Sequence, residues 1–323
     1  MTTQLGGATP LPVPSAGPPP RGRRRSRRPV WEEPPTPLGL FGKGTVLTLL
    51  VLAVLVPLWT VLVTSFASRR TIDEVGGMVL VPREIDPSAY LTIFSGGEVS
   101  RAVWISTVVT VLGTGVSLTL TVLAAYGLSR PGSVAHRGLL FFFLLTFLIF
   151  PGLVPSYLVV TGLGLKDSIW SLILPSAISV FNLVVIRAFF MNVPGELIDS
   201  ARIDGAGELR ILTRVVLPLS KAVVAVVGLF YAVGYWNVYF NALLYIDSND
   251  KFPIQRVLQS YILAGQSPNV SGTPVNLPGV TAYPPTLAVK MAVVVVTVVP
   301  ALIVYPFVQR HFTKGVITGA IKG

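Results

Sequence analysis

The sequence predicts an all-α membrane protein of six transmembrane helices with both termini in the cytoplasm. Three observations carry that expectation. Charged residues make up only 12% of the chain and 52% are apolar, where a soluble domain has roughly 25% charge. The apolar residues gather into six charge-free runs of about 19 to 28 residues, between Lys43 and Arg69, Arg101 and Arg130, Arg137 and Lys166, Asp167 and Arg187, Lys221 and Asp247, and Lys290 and Arg310; each can cross a hydrocarbon core of about 30 Å as a helix. With the amino terminus inside, 17 of the 25 basic residues fall on the inner side and 7 on the outer side, with Lys290 near a boundary. Positive charge held inside sets the orientation.

Residues 1–38 form a Pro/Arg-rich tail containing RGRRRSRR, with too little apolar surface to fold alone. Its charge suits an anionic inner leaflet, and no nucleic-acid partner is needed to explain the net charge of +11. The arginines are followed by Glu32, Glu33 and prolines rather than an apolar stretch, which excludes a twin-arginine export signal. Residues 39–323 form the membrane domain, with helices expected at about 44–68, 102–129, 138–162, 168–190, 220–246 and 286–309. The first is too long to be a cleaved signal peptide.

Residues 69–100 read as an exposed outer connector. The second span carries Gly113, Ser117, Thr121 and Ala125 on one face, small residues that admit a neighbouring helix closely. Prolines interrupt the spans at Pro57, Pro151, Pro155, Pro175, Pro300 and Pro306, each removing a backbone hydrogen bond. The fourth span contributes Asn182 and the fifth the run Tyr235, Trp236, Asn237, Tyr239 and Asn241. A polar amide at bilayer depth is costly unless it faces a partner or a cavity, so these six are the candidate substrate pathway; interhelical hydrogen bonding and an interfacial aromatic belt are the alternatives. Residues 247–285 form a second outer loop with a short helix near Gln255–Leu263, and Lys290 sits a turn inside the last span, placed to snorkel to the headgroups.

Between the fourth and fifth spans lies a charged insert, residues 194–218. A helix from Glu196 to Ile203 places its acids where the helix dipole favours them. Asp204-Gly205 supplies a cap and turn, and a second helix runs from about Gly207 to Val216, with Pro218 opening the next span. Leu209, Leu212 and Val216 share one face, with Ile211 and Val215 beside it. Pattern alone leaves two readings level: a knob pressed against another protein, or an interfacial helix lying on lipid.

The insert resembles the coupling loop of bacterial ATP-binding-cassette (ABC) importer permeases, Glu-Ala-Ala, three residues, Gly, nine residues, Ile, one residue, Leu-Pro. Asp199-Ser200-Ala201, Gly205, Val215 and Leu217-Pro218 stand at those spacings, with Asp for Glu, Ser for Ala and Val for Ile. AAYGLSR from Ala124, LGLKDSIWSLILP from Leu163, YWNVYFNALLY from Tyr235 and YPFVQRHFTKGVITGAIKG from Tyr305 are similar to the carbohydrate-uptake branch, family 1. Within it the chain resembles the second permease of maltose-type transporters and the oligosaccharide permeases often labelled LplC-like or YtcP-like.

The resemblance implies the type I ABC importer permease fold in a bacterial cell membrane. It implies import of a sugar or oligosaccharide with a second homologous permease subunit, a cytoplasmic ABC ATPase dimer and an extracytoplasmic sugar-binding lipoprotein as partners. Glu196, Asp199, Ser200, Ala201, Asp204, Gly205, Ala206, Val215, Leu217 and Pro218 become the candidate ATPase-coupling residues. ATP and Mg would be bound by the partner ATPase, so no cofactor, metal or catalytic residue is expected in this chain. The sequence agrees: it has no Gly-rich phosphate loop followed by Lys and Ser/Thr, no cysteine, and only two histidines, His136 and His311, at membrane boundaries. An ion-coupled secondary transporter acting without an ATPase is the alternative. It usually needs carboxylates at membrane depth, and all 14 acids fall outside the six runs. The same absence of acid, Cys and His argues against an intramembrane enzyme.

Overall fold

A computed structural model describes residues 37–95, 97–130, 132, 136–149, 151–262 and 286–320. The basic tail before residue 37, most of the second outer loop and the last three residues lie outside them. The described residues are helical, with no strand among them. Two compact units divide at residue 54. The described part of the first is the start of α1 (Pro37–Ser65), whose residues there are exposed. The second, residues 55–323, holds everything else.

Long uninterrupted spans form where the apolar run lacks a local competitor for backbone hydrogen bonds. These are α1, α4 (Glu98–Ser129) and the Thr286–Ile303 part of α15 (Thr286–Ala320). Pro57 and Pro300 are absorbed inside helices. Three further helix pairs qualify only if each bent pair is one span, so the described residues hold three membrane-length helices, or up to six.

The breaks correct the expected continuous helices. The segment 138–162 is two helices, α5 (His136–Leu148) and α6 (Leu153–Gly162), parted around Pro151, which lacks the N–H to continue the ladder. The segment 168–190 is α7 (Trp170–Ile173), a 3₁₀ turn through Pro175, and α8 (Val180–Met191), bent by 53°. The segment 220–246 is α12 (Lys221–Trp236) and α13 (Phe240–Tyr245). Residues 69–100 are more than a connector. They carry α2 (Arg69–Val75) and α3 (Ser88–Ser95), and Ile72, Val79, Ala89 and Ile93 are buried. The Thr64 hydroxyl accepts from the Val79 N–H at 2.9 Å, and Ser65 and Tyr90 hydroxyls meet at 2.8 Å, tying this segment to the end of α1.

Two apolar clusters organise the second unit. One joins α4, α8, α12 and the charged insert through residues such as Val109, Phe190, Ile211 and Val227. The other joins α3, α4, α15 and α14 (Ile254–Ile262) through Ile93, Val99, Val257 and Ala292. The small face of α4 receives α12. The Tyr235 hydroxyl lies 2.6 Å from Ser117 Oγ and Tyr231's lies 2.7 Å from Thr121 Oγ1, a ladder of two hydrogen bonds one helical turn apart. At Gly113 a Cβ would lie 2.8 Å from the Tyr235 ring, so only glycine fits.

Candidate functional site

The charged insert is a helical hairpin held by its own chain. Its first arm, α9 (Gly195–Ile203), ends in a motif that explains the spacing of Ala201, Gly205 and Ala206. The Ala206 N–H donates to the Ala201 carbonyl at 2.9 Å and the Gly205 N–H to the Arg202 carbonyl at 3.0 Å. This six-to-one and five-to-two pair requires a left-handed residue after the cap. Gly205 supplies it at φ 77°, following the cap residue Asp204. Ala201 and Ala206, the two ends of the longer bond, both pack against the core. Glu196, Asp199 and Ser200 remain exposed on the outer side of the arm, with Asp199 3.6 Å from Arg202.

The return arm is α10 (Glu208–Ile211), a wide π turn (Leu212–Val216) and α11 (Leu217–Leu219). Pro218 therefore closes this arm rather than opening the next span. The chain turns by 88° at Ser220 before α12 begins. The expected outward apolar stripe is also corrected. Ile211, Leu212 and Val216 are 0 to 3% exposed and face the core of their own chain, and Val215 and Leu217 pack beside them. What the hairpin offers outward is Leu197, Ile203 and Leu209, the last two 86% and 69% exposed.

Glu208 clamps the two arms to the membrane helices, a role that sequence reasoning did not assign. One carboxylate oxygen accepts from the Tyr126 hydroxyl at 2.5 Å, and the other accepts from Arg202 Nη2 at 2.9 Å and Nε at 3.2 Å. The Arg130 guanidinium covers the Tyr126 ring at 4.4 Å. The Tyr126 hydrogen bond and then Arg202 hold the Glu208 carboxyl below its usual range, and Glu208 in turn raises Arg202. Glu208 stands early in its helix, a visible signal, but its partner 82 residues away in sequence has none.

The second feature is an open cavity of about 520 Å³ beside α8 and the break between α12 and α13. Five of the six candidate pathway residues line it: Asn182, Tyr235, Asn237, Tyr239 and Asn241. Trp236 does not. Its indole turns away from that wall and donates to the Thr297 carbonyl at 3.0 Å, inside the second apolar cluster. Some lining groups are already occupied. Tyr235 hydrogen-bonds the Ile173 carbonyl at 3.1 Å, and Tyr231 accepts from the Ser179 N–H at 2.9 Å. Asn237 caps α12: its amide donates to the Val233 carbonyl at 2.9 Å and accepts from Gln255 of α14 at 3.1 Å.

A third cluster lies in the loop before α7. Asp167, at φ 56°, accepts at Oδ1 from the N–H groups of Asp247 and Ser248 at 3.1 and 2.9 Å. Its other oxygen accepts from Ser248 Oγ at 2.5 Å and Lys251 Nζ at 2.8 Å. Lys251 first, then Ser248, keep this carboxyl far below the ordinary range. Lys166 pairs with Asp247 at 2.9 Å alongside. Among the described residues no group of three His, Cys, Asp or Glu side chains is arranged to hold a metal ion.

Comparison with known proteins places these features in context. The profile of the family described as "Binding-protein-dependent transport system inner membrane component" matches residues 99–318. The Bacillus subtilis polygalacturonan/rhamnogalacturonan transport system permease protein YtcP is 42% identical over 279 residues, 86% of this chain and 96% of that protein. Protein LplC of Bacillus subtilis is 39% identical over 83% of this chain and 90% of that one. A chain in the crystal structure of a bacterial ABC transporter involved in the import of the acidic polysaccharide alginate matches with a TM-score of 0.76 at 29% identity. It covers 84% of this chain and 96% of its own.

Proposed function

The chain belongs to the family of binding-protein-dependent transport system inner membrane components, and from that premise we propose that it is the permease subunit of an ATP-driven importer of a sugar or oligosaccharide. The α5–α6 and α7–α8 pairs then count as single spans and α12 with α13 as another, giving six with both termini in the cytoplasm. It pairs with a second homologous permease, stands on a cytoplasmic ATPase dimer and receives its sugar from an extracytoplasmic binding lipoprotein. ATP and Mg belong to that ATPase, and this chain performs no hydrolysis. The substrate class rests on relatives whose names specify polygalacturonan/rhamnogalacturonan and alginate.

The observation that carries the reading is the construction of the hairpin. A loop that only connected two spans would not need a glycine-dependent cap, a carboxylate clamp and a return arm whose apolar face is buried against its own chain. Those features make a rigid lever: motion imposed on Leu197, Ile203 and Leu209 reaches α4 through Glu208–Tyr126 and α12 through the packed return arm. Alternating access follows if an ATPase closing beneath the lever swings α4 and α12 together.

Gly205→Pro in the complete reconstituted complex tests this. Proline fixes φ near −65° and removes the N–H that reaches the Arg202 carbonyl. Stimulation of ATPase activity by loaded binding protein and sugar uptake should both fall at least tenfold while the complex still assembles. Unchanged stimulation and uptake would show the hairpin to be only a connector.

A further inference from the structure

The cavity beside α8 carries a chemical preference that family membership does not assign. Asn182 is only 5% exposed and lies in the cavity wall, yet its side-chain amide makes no hydrogen bond among the described residues. The residue is otherwise packed, so its amide is held in place with its polar atoms open to the cavity and available to a ligand there. The Asn241 amide and Tyr239 hydroxyl line the same space and are equally uncommitted among the described residues, whereas Tyr231, Tyr235 and Asn237 are held by the partners given above. The free polar groups are thus two carboxamides, a phenol and the exposed Ser176 hydroxyl, each both donor and acceptor. Phe181, Phe230 and Phe240 add exposed apolar rings, and no Lys, Arg, His, Asp or Glu is among the lining residues described.

Neighbouring hydroxyls on a sugar ring present one donor and one acceptor to a carboxamide, and the C–H face of the ring packs on an aromatic surface. A carboxylate suits this wall poorly. It finds no cationic side chain among the lining residues to offset its desolvation.

We infer that this chain's part of the pathway takes the uncharged, hydroxyl-bearing face of a saccharide, read by Asn182 and Asn241, and that any carboxylates on an acidic saccharide point away from it. The inference rests on the importer reading and narrows it: charge recognition falls to another subunit.

The chain's lack of cysteine makes the test direct. In the complete complex, with partner subunits also stripped of cysteine, Ser176→Cys in the cavity wall is labelled with a maleimide in the presence of trigalacturonate or its methyl ester. The two probes share their rings and hydroxyls and differ at the carboxyl groups, which are charged in one and capped by methyl in the other. The ester should slow labelling at least as well as the free acid, and Asn182→Ala should weaken protection by both about five- to tenfold. Asn241→Ala, in the less buried partner, should act in the same direction and guards against misfolding of the first variant. A tenfold advantage for the acid, protection by neither probe, or protection indifferent to both substitutions overturns the inference. ATPase stimulation by loaded binding protein, measured on the same complex, reports separately on the importer reading.

Discussion

Glu208 shows how much one side chain can fix. Its two oxygens hold one arm of the hairpin through Arg202 and a membrane helix through Tyr126. Glu208→Gln keeps the shape and removes the charge that makes these hydrogen bonds strong. Because the pair with Arg202 is half exposed, the expected loss is modest, about 1 kcal/mol of local stability, seen as faster hydrogen exchange at the Gly205 and Ala206 amides. Its pH dependence has a definite sign. The folded carboxyl titrates below its usual range, so its contribution is complete above about pH 5 and disappears as pH falls through the depressed value. Protection of the same amides should therefore decline on acidification, not on alkalinisation, in wild type and much less in Glu208→Gln. Asp167 follows the same rule and adds a backbone requirement. At φ 56°, Asn tolerates the conformation and Ala does not, so Asp167→Asn should keep the turn and the two N–H bonds at one oxygen while losing the Lys251 pair and the bond accepted from Ser248 Oγ. Asp167→Ala should lose the pair and strain the turn, giving the larger drop in thermal stability of the purified complex.

At the scale of elements, the most demanding contact is α4 against α12. Gly113→Ala forces a methyl group into the Tyr235 ring, which is tethered by Ser117 and the Ile173 carbonyl and cannot retreat freely. We expect destabilisation of about 1–3 kcal/mol. Gly113→Ala combined with Tyr235→Leu should recover part of it, measured by thermal unfolding in detergent. The small face on α4 and the position of each apolar segment were legible in the sequence, because burial in lipid demands length and small residues at helical spacing. Continuity was not. An apolar run reports what surrounds a segment, not whether its backbone ladder is unbroken. Proline marked the breaks at 151 and 175, but no proline or glycine marks the one after Trp236. That break is capped by Asn237, whose side chain takes the Val233 carbonyl and is held by Gln255 from α14. Both partners had to be in place before the interruption made sense.

For the molecule as a whole, the charged insert was legible as a unit and its capping glycine as a turn, since Gly205 and the alanines obey local hydrogen-bond geometry. Its facing was not. Periodicity shows that Ile211, Leu212 and Val216 share a side, but not whether that side meets this chain or another, and the structure turns it inward. The outward surface is therefore a few residues on the hairpin's far side, and the two sets should separate by experiment. Ile203→Asp and Leu209→Asp change residues 86% and 69% exposed. They should leave the stability of the isolated chain within about 0.5 kcal/mol of wild type and weaken capture of the ATPase in a pull-down at least tenfold. Ile211→Ala should do the reverse at first order, destabilising the chain by about 2–5 kcal/mol through a buried cavity.

The wide π turn at Leu212–Val216 has an evolutionary consequence. It holds one residue more than an α-helical turn would use, so the return arm carries a fixed angular phase. Deleting one residue there would let the turn close to ordinary α geometry and leave the flanking residues in phase. Inserting one would rotate everything beyond it by about 100°, and Ile211 and Val216 could no longer face the same core. Single-residue deletions should accordingly be tolerated in this stretch and single-residue insertions purged.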